Sequence, residues 1–247
     1  MLKYENAQFD YEPYPVCYVK DVLDADAYRA LVEAYPAKEL FEYKPNLGHK
    51  YSLSELNNPE NYDKFLSQTP VWKSFYDHVK SPGFVENVLS MLAANNIDLG
   101  LRRLRVLSGR ASHRASFMSR VRRQTELHAR FEFSMMPADG GQIVPHTDAP
   151  NKLVTLVLSM MEPDEWNNDW GGGTSVCLPK DRTKIFNHLN KAMRFDEVDT
   201  LKTFPFEPNQ CVLFVKTYNS WHHVAPITGP ETGPMRKTLT INIMSRV

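Results

Sequence analysis

Two short stretches in the second half of the chain carry side chains that can bind a metal ion. In "HTD", His146 and Asp148 are two residues apart, so in an extended segment they project to the same side. One imidazole nitrogen and one carboxylate oxygen can then converge on a single ion. This spacing also arises by chance, and a turn with an exposed histidine is the alternative interpretation.

The second stretch, "NSWHHVAP", places His222 and His223 side by side. Adjacent residues of a strand point to opposite faces, so only one of them can join His146 and Asp148. A bulge at the strand end would exchange the two, and the residues alone leave the choice open. Two histidines and one carboxylate on one face of a metal leave three open positions, which is typical of non-haem Fe(II) sites that use oxygen.

An arginine follows at a short interval. Arg236 lies 14 residues after His222 and begins the strand-like segment "RKTLTINIM". Thr238 and Thr240 share its face by the period of two that strands have. A guanidinium fork with neighbouring hydroxyls inside a barrel can bind a carboxylate in bidentate fashion. These residues therefore predict a dicarboxylate co-substrate.

Taken together, the motifs resemble the Fe(II)- and 2-oxoglutarate-dependent dioxygenases, especially the branch that resembles prolyl hydroxylases. "HTD", "WGGGTSV", "NSWHHVAP" and "RKTLTINI" carry the resemblance, which covers about residues 128–247. It implies a mainly β fold with helices, namely a double-stranded β-helix (jelly roll, cupin-like) core. Relatives often have glycine where His223 stands, so the resemblance identifies His222 as the second histidine ligand.

The resemblance also implies cofactors and roles. The cofactors would be Fe(II), the co-substrate 2-oxoglutarate and O2, with ascorbate expected to stimulate turnover. Three residues would bind the iron and carry catalysis: His146, Asp148 and His222. Four would bind the co-substrate: Arg236, Thr238, Thr240 and Thr174. Related halogenases replace the carboxylate of the first motif, which is present here as Asp148, so hydroxylation or desaturation is favoured over chlorination.

One position departs from the family pattern. Related enzymes often have a tyrosine that touches 2-oxoglutarate at the end of the strand after the first motif, and this chain has Ser159 there. The contacts to the co-substrate are therefore expected to be redistributed.

Candidate substrate contacts are less specific. The segment "HARFEFS" alternates, so Arg130 and Glu132 share one face, which would suit a zwitterionic amino acid if it looks into the barrel. A solvent-facing ion pair is the equally good alternative. His223 is expected to face substrate, solvent or a neighbouring loop. Trp170, before three glycines, is a candidate wall of the pocket, although aromatic residues at a rim are more often core.

A basic stretch between Leu99 and Thr125 contains no acidic residue. Its cationic side chains are Arg102, Arg103, Arg105, Arg110, His113, Arg114, Arg120, Arg122 and Arg123. Arginine forks of this kind would recruit a phosphate, an acidic substrate or a carrier-bound substrate, while a solvated loop is the alternative. Nucleic acid is not expected as a partner, because aromatic residues are nearly absent from the stretch.

The elements that must position these residues change in character near residue 100. Before it, "LDADAYRALVEAYP", "PVWKSFYDHVK" and "PGFVENVLSMLAANN" have helical spacing. After it, short runs between turn residues predict an antiparallel sandwich or barrel, interrupted by a helix-like insert, "KIFNHLNKAMRF". Residues 1–103 are predicted to be a mainly helical support region and residues 104–247 the catalytic core, integrated into one domain.

Composition excludes several classes of protein. The chain has 247 residues, 42% of them apolar, which is enough for a substantial core. Lys and Arg total 29, as do Asp and Glu, so no overall field attracts nucleic acid or a membrane. Three distant cysteines without zinc spacing, and no secretory or membrane-spanning pattern, predict a cytoplasmic protein.

These observations predict an oxygenase that hydroxylates an unactivated C–H bond of a small molecule, an amino acid or biosynthetic intermediate, releasing succinate and CO2. A peptidyl, prolyl-type hydroxylase is one alternative. A metal-binding β-helix protein that serves as a sensor or scaffold without turnover is an alternative of another class, and Arg236 argues against it because a structural metal site needs no co-substrate anchor.

Overall fold

Four α-helices and thirteen strands are formed by the part of the chain that the structure, a computed structural model, describes: residues 2–4, 7–110, 119 and 122–246. The helices are α1 (Ala25–Glu33), α2 (Pro59–Gln68), α3 (Pro70–Val79) and α4 (Pro82–Ala94). The strands are β1 (Gln8–Asp10), β2 (Val16–Lys20), β3 (Glu42–Lys44), β4 (Lys50–Ser54), β5 (Leu104–Val106), β6 (Thr125–Pro137), β7 (Ile143–His146), β8 (Lys152–Ser159), β9 (Thr174–Pro179), β10 (Val198–Phe204), β11 (Gln210–Val215), β12 (His222–Val224) and β13 (Met235–Ser245).

Local sequence explains where the helices begin. The helices α2, α3 and α4 each start with a proline, whose fixed φ suits the first turn and whose missing N–H is not needed there. Ser81 caps α4 by accepting a hydrogen bond from the Phe84 backbone N–H at 3.3 Å. The predicted helical spacing of α1, α3 and α4 is confirmed.

The strands form two sheets. The larger has the order β1-β2-β11-β8-β13-β6-β4-β3. In the same sheet β5 pairs in parallel with the first residues of β6. The smaller sheet has the order β10-β9-β12-β7. Apolar side chains from both sheets meet in one cluster, including Val176 and Phe204 from the smaller and Val212 and Phe214 from the larger. Two packed, largely antiparallel sheets confirm the predicted mainly β fold with helices.

The first part of the chain contributes strands as well as helices, whereas a mainly helical region was predicted. β2 pairs with β11, and β4 pairs with β6, so segments before residue 103 extend the larger sheet in both directions. These strands are only five residues long, and "KYSLS", although it alternates in polarity as a strand does, lies among segments with helical spacing. Their pairing is non-local, so no short-range sequence signal announces it.

The predicted helical insert "KIFNHLNKAMRF" is wrong. This segment forms irregular backbone between short 3-10 turns at Arg182–Lys184 and Phe195–Glu197. The side chain of Asn187 accepts a hydrogen bond from Lys191 N at 2.9 Å and donates one to Lys191 O at 2.8 Å. Such local bonds to the backbone compete with helical hydrogen bonds.

The helices pack on the larger sheet through an aromatic cluster. Trp72 of α3 is fully buried, with its ring centroid 4.6 Å from that of Phe133 and 6.0 Å from that of Phe131, both on β6. Tyr35, just after α1, packs edge-on against Phe133 at 5.6 Å. Aromatic faces and edges therefore hold the helical part onto the strand that carries Arg130 and Glu132 on its other face.

We expect Trp72→Ala to lower the free energy of unfolding by about 3–5 kcal/mol, because it removes a large buried side chain and leaves a cavity. Urea unfolding followed by fluorescence and circular dichroism measures the change. Phe186→Ala, at a side chain that is 62% exposed, is the control and should change stability by less than about 0.5 kcal/mol. A similar effect of the two substitutions would contradict this account of the core.

No helix among the described residues has both the length and the apolar character needed to cross a membrane. Cys17, Cys177 and Cys211 are buried free thiols. Burial raises the pKa of Cys17 and of Cys177 to about 12.

Candidate metal and co-substrate site

The three predicted metal ligands come together on the smaller sheet and the turn that follows it. His146 on β7 and His222 on β12 are direct partners in the antiparallel register, with ring centroids 4.3 Å apart. Asp148 lies in the turn between β7 and β8. One potential ligand atom from each of the three lies within 4.8 Å of the others. This is the only such group of His, Cys, Asp and Glu side chains in the described ranges.

Backbone carbonyls fix the orientation of both imidazoles. The Nδ1 of His146 lies 2.9 Å from Val144 O, and the Nδ1 of His222 lies 2.9 Å from Ser220 O. A carbonyl only accepts, so each Nδ1 carries the proton and each Nε2 presents a lone pair. Both histidines are therefore in the tautomer that binds a metal through Nε2.

Both oxygens of Asp148 are held by other side chains. Lys152 Nζ donates to Oδ1 at 2.6 Å, and Thr155 Oγ1 donates to Oδ2 at 2.6 Å. The Thr155 hydroxyl also lies 3.0 Å from Asn242 Oδ1 on β13. The carboxylate is thus oriented by a lysine and a threonine of β8, the strand that follows the motif.

Burial and neighbouring charges keep the three groups in metal-binding protonation states. Burial lowers the pKa of His146, and burial together with the nearby His146 lowers the pKa of His222 to about 3. For Asp148, burial alone would raise the pKa, but the Lys152 ammonium and the two imidazoles outweigh it and the net pKa is lowered. Neutral imidazoles and an ionised carboxylate fit a divalent cation such as Fe(II).

Thr155→Val is expected to weaken divalent-metal affinity by about 10–100-fold, because it removes the hydrogen bond that orients Asp148 while preserving side-chain volume. Competition titration with Mn(II), without oxygen, measures the affinity. Thr203→Val is the matched control, since it removes a hydroxyl that lies 2.8 Å from Ser175 and does not contact Asp148. Equal affinities for Thr155→Val and the unaltered protein would show that Thr155 does not support the metal site.

A cavity of about 380 Å³ joins the three ligands to Arg236. The Arg236 side chain is 3% exposed, its Nε donates to Gly172 O at 2.5 Å, and its guanidinium stacks 4.4 Å above the Phe206 ring. No carboxylate pairs with it in the described chain, and burial lowers its pKa. A buried cation without a counterion is costly, so this group fits the binding of an anionic co-substrate carboxylate.

Gly172 is needed for this arrangement. Its φ is +84°, a left-handed conformation that side chains disfavour, and a Cβ there would lie 2.9 Å from the Trp166 ring and 3.4 Å from Arg236 Cδ. The glycine run of "WGGGTSV" therefore lets the backbone approach the arginine closely enough for its carbonyl to accept the Nε hydrogen bond.

The other predicted co-substrate residues line the same cavity: Thr174, Thr238 and Thr240. Thr238 Oγ1 lies 2.8 Å from Ser134 Oγ, so its hydroxyl is already oriented. Ser159 lies elsewhere, because its hydroxyl donates to the backbone carbonyl of Glu207 and accepts from Gln210 N at 3.3 Å.

Of the four predicted substrate residues, only His223 belongs to the described lining of the cavity. Arg130 and Glu132 form an ion pair at 2.8 Å on the inner face of β6. His223 lines the cavity, with Nε2 3.0 Å from Thr200 Oγ1 and a buried Nδ1 that has no hydrogen-bond partner. Trp170 packs against Trp166 at 5.4 Å, and the cavity lining known from the described residues does not include it.

The basic stretch is only partly described, since His113, Arg114 and Arg120 lie outside the described residues. Arg110 pairs with Asp63 of α2, and Arg105 contacts Glu126 at 3.4 Å. Some of its charge is therefore used within the protein, and recruitment of an acidic substrate by this stretch stays a prediction.

Two functional candidates were missed by sequence analysis. Lys50 lines the cavity from β4, and Thr155 holds Asp148. The alternation Lys50, Ser52, Ser54 was a signal for a strand with a polar inner face, but it lies in a region whose other segments have helical spacing.

The chain matches a family model described as the 2OG-Fe(II) oxygenase superfamily over residues 131–244. A prolyl-4-hydroxylase structure from Pseudomonas putida is similar, with 16% identity, a TM-score of 0.50, and coverage of 94% of this chain and 92% of that chain. This similarity shows a shared fold. No curated protein matches the chain.

Further structures are similar at lower scores. A prolyl hydroxylase from Trichoplax adhaerens, in complex with a hypoxia inducible factor peptide fragment, has 13% identity and a TM-score of 0.48, covering 93% of this chain and 83% of that chain. HygX from Streptomyces hygroscopicus, with nickel and 2-oxoglutarate bound, has 8% identity and a TM-score of 0.45, covering 93% and 82% respectively.

Proposed function

Because the chain belongs to the 2OG-Fe(II) oxygenase superfamily, we propose that this enzyme hydroxylates an unactivated C–H bond of a small molecule, an amino acid or biosynthetic intermediate. In this reaction 2-oxoglutarate and O2 are consumed, one oxygen atom enters the substrate as a hydroxyl, the other enters succinate, and CO2 is released. The reaction therefore balances without a further reductant.

The residues of the site have separable tasks. His146, Asp148 and His222 would hold Fe(II), and the guanidinium of Arg236 would bind the far carboxylate of 2-oxoglutarate. When bound, the metal and co-substrate supply the oxygen activation, which side chains cannot provide. The protein contributes position and exclusion of water, since the three ligands and Arg236 open into one largely apolar cavity.

The observation that carries this proposal is the single cavity of about 380 Å³ shared by the metal ligands and the unpaired Arg236. Its volume is within the range of about 300–1,000 Å³ that is common for small-ligand sites. After 2-oxoglutarate is accommodated, the remaining space suits a compact substrate. A non-catalytic scaffold would have no need for an unpaired buried guanidinium.

The test is succinate formation by protein that is loaded with Fe(II) under anaerobic conditions and then supplied with 2-oxoglutarate, O2 and ascorbate. We expect slow, iron-dependent turnover alone and faster turnover with the correct member of an amino-acid and metabolite panel. Faster turnover with peptides only would favour a peptidyl hydroxylase. Failure to bind iron or 2-oxoglutarate would contradict the proposal.

A further inference from the structure

A lysine from the first part of the chain reaches into the cavity. Lys50 begins β4, whose inner face carries Lys50, Ser52 and Ser54 beside the inner face of β6. Its ammonium donates to Glu132 Oε1 at 2.7 Å, and its side chain remains 23% exposed where it lines the cavity. An ammonium has three donors, so this contact leaves hydrogen-bonding capacity for a ligand.

Glu132 does not balance the cations around it. Lys50 contacts one of its oxygens, and Arg130 Nη2 contacts the other at 2.8 Å. Burial alone would raise the pKa of Glu132, but Lys50 and Arg130 outweigh it and lower the pKa to about 2, so the carboxylate stays ionised. One negative charge thus faces two positive charges. Arg130 also has a buried Nε without a hydrogen-bond partner.

A second lysine adds to this excess of positive charge. Lys152 lines the same cavity, and its ammonium contacts Asp148 at 2.6 Å. A metal bound to Asp148 would share this carboxylate, so the negative charge would no longer fully neutralise Lys152. Asp148 is the only carboxylate in the described lining of the cavity, while three cationic side chains line it: Lys50, Lys152 and Arg236. With Arg236 committed to the co-substrate, two lysines remain without full compensation.

We propose that the cavity binds an oxyanionic group of the substrate, a carboxylate or a phosphate, through Lys50, with Lys152 as the second cation. The inference rests on the proposed function, because it defines the substrate class of the same site. Glu132 then acts as a positioning residue, which holds the Lys50 ammonium at the cavity wall. The amino group of a zwitterionic substrate would have to displace Lys50 to reach Glu132, so the anionic end of the substrate is the end recognised here.

The proposal is tested on protein loaded with Mn(II) and saturated with 2-oxoglutarate in the absence of oxygen. The unfolding temperature is measured with phosphate or acetate against chloride at equal ionic strength. An anion that binds only the folded protein raises this temperature, and the stabilisation grows with the logarithm of one plus the ratio of the anion concentration to its Kd. We expect at least one of the two anions to raise it, and the comparison shows whether phosphate or carboxylate is preferred.

Lys50→Met should weaken the anion affinity about tenfold or more, because a charge-assisted contact is lost. Lys44→Met is the matched control: Lys44 is the cross-strand partner of Lys50 in the same hairpin, and its ammonium contacts Glu42 at 3.0 Å. It should leave the anion effect unchanged. Glu132→Gln should strengthen anion binding, because the amide oxygen can still accept the hydrogen bond that holds Lys50 in place while the competing negative charge is removed. Loss of a merely structural ion pair would instead weaken anion binding or leave it unchanged.

Three outcomes would overturn the proposal. One is the absence of any effect of either anion on the unaltered protein. Another is an equal loss in Lys50→Met and Lys44→Met. The third is a loss of 2-oxoglutarate affinity in Lys50→Met as large as its loss of anion affinity, which would assign the lysine to the co-substrate. Succinate formation by the unaltered iron-loaded enzyme is measured separately. If succinate is formed but neither anion has an effect, the anion site is refuted and the proposed function is not.

Discussion

Arg236→Met is expected to weaken 2-oxoglutarate binding roughly 100-fold or more, since two charge-assisted hydrogen bonds from a guanidinium fork are lost. The affinity is measured on Mn(II)-loaded protein without oxygen. The 2-oxoglutarate affinity of Arg236→Lys should lie between those of the unaltered protein and Arg236→Met, because an ammonium keeps the charge but not the fork. Lys237→Met is the control, since the adjacent side chain points away from the cavity and contacts Glu165 at 2.5 Å.

Arg236→Met is also expected to affect stability, in the opposite direction to its effect on binding. In the absence of 2-oxoglutarate, Arg236→Met should be as stable to urea as the unaltered protein or more stable. The reason is that burial lowers the pKa of Arg236, which means that the fold disfavours its charged form and gains when that charge is removed. A large loss of stability together with unchanged co-substrate affinity would show that Arg236 is a structural residue.

His222→Ala is expected to lower metal affinity by at least about 100-fold and to abolish 2-oxoglutarate turnover, because loss of a ligand should exceed the effect of losing an outer-shell contact. His223→Ala is the matched control for metal binding, since the imidazole of His223 contacts Thr200 and not His146 or Asp148. Metal titration and succinate formation measure the two effects. If His223→Ala lost the metal and His222→Ala kept it, the assignment of the ligand would be reversed.

The metal ligands and Arg236 could be predicted because their signals are local. A strand fixes which face residues two apart share, so "HTD" and the alternation after Arg236 carried geometric information in a few letters. The choice between His222 and His223 needed the resemblance. In the structure, the direct pairing of His222 with His146 in the register of β12 and β7 places the first of the two beside the motif.

The substrate side of the cavity could not be predicted in the same way. Lys50 and Glu132 are 82 residues apart and meet only because β4 pairs with β6. The face shared by Arg130 and Glu132 followed from alternation, but the contact of Lys50 with Glu132 depends on the tertiary fold. Likewise, the insert around Asn187 had helical spacing, and its side-chain bonds to the backbone overrode that preference.

The pairing of β2 with β11 has a consequence for how the chain is made. Residues 16–20 leave the ribosome about 190 residues before their partner strand, which at about 5–20 residues per second is a delay of roughly 10–40 s. During synthesis the segments that become β2 and β4 have no sheet to join, and a fragment without them would expose the edges of β11 and β6 to other chains. Completion of the active site is therefore a late folding event, and the family-matched region is not expected to be a self-sufficient folding unit.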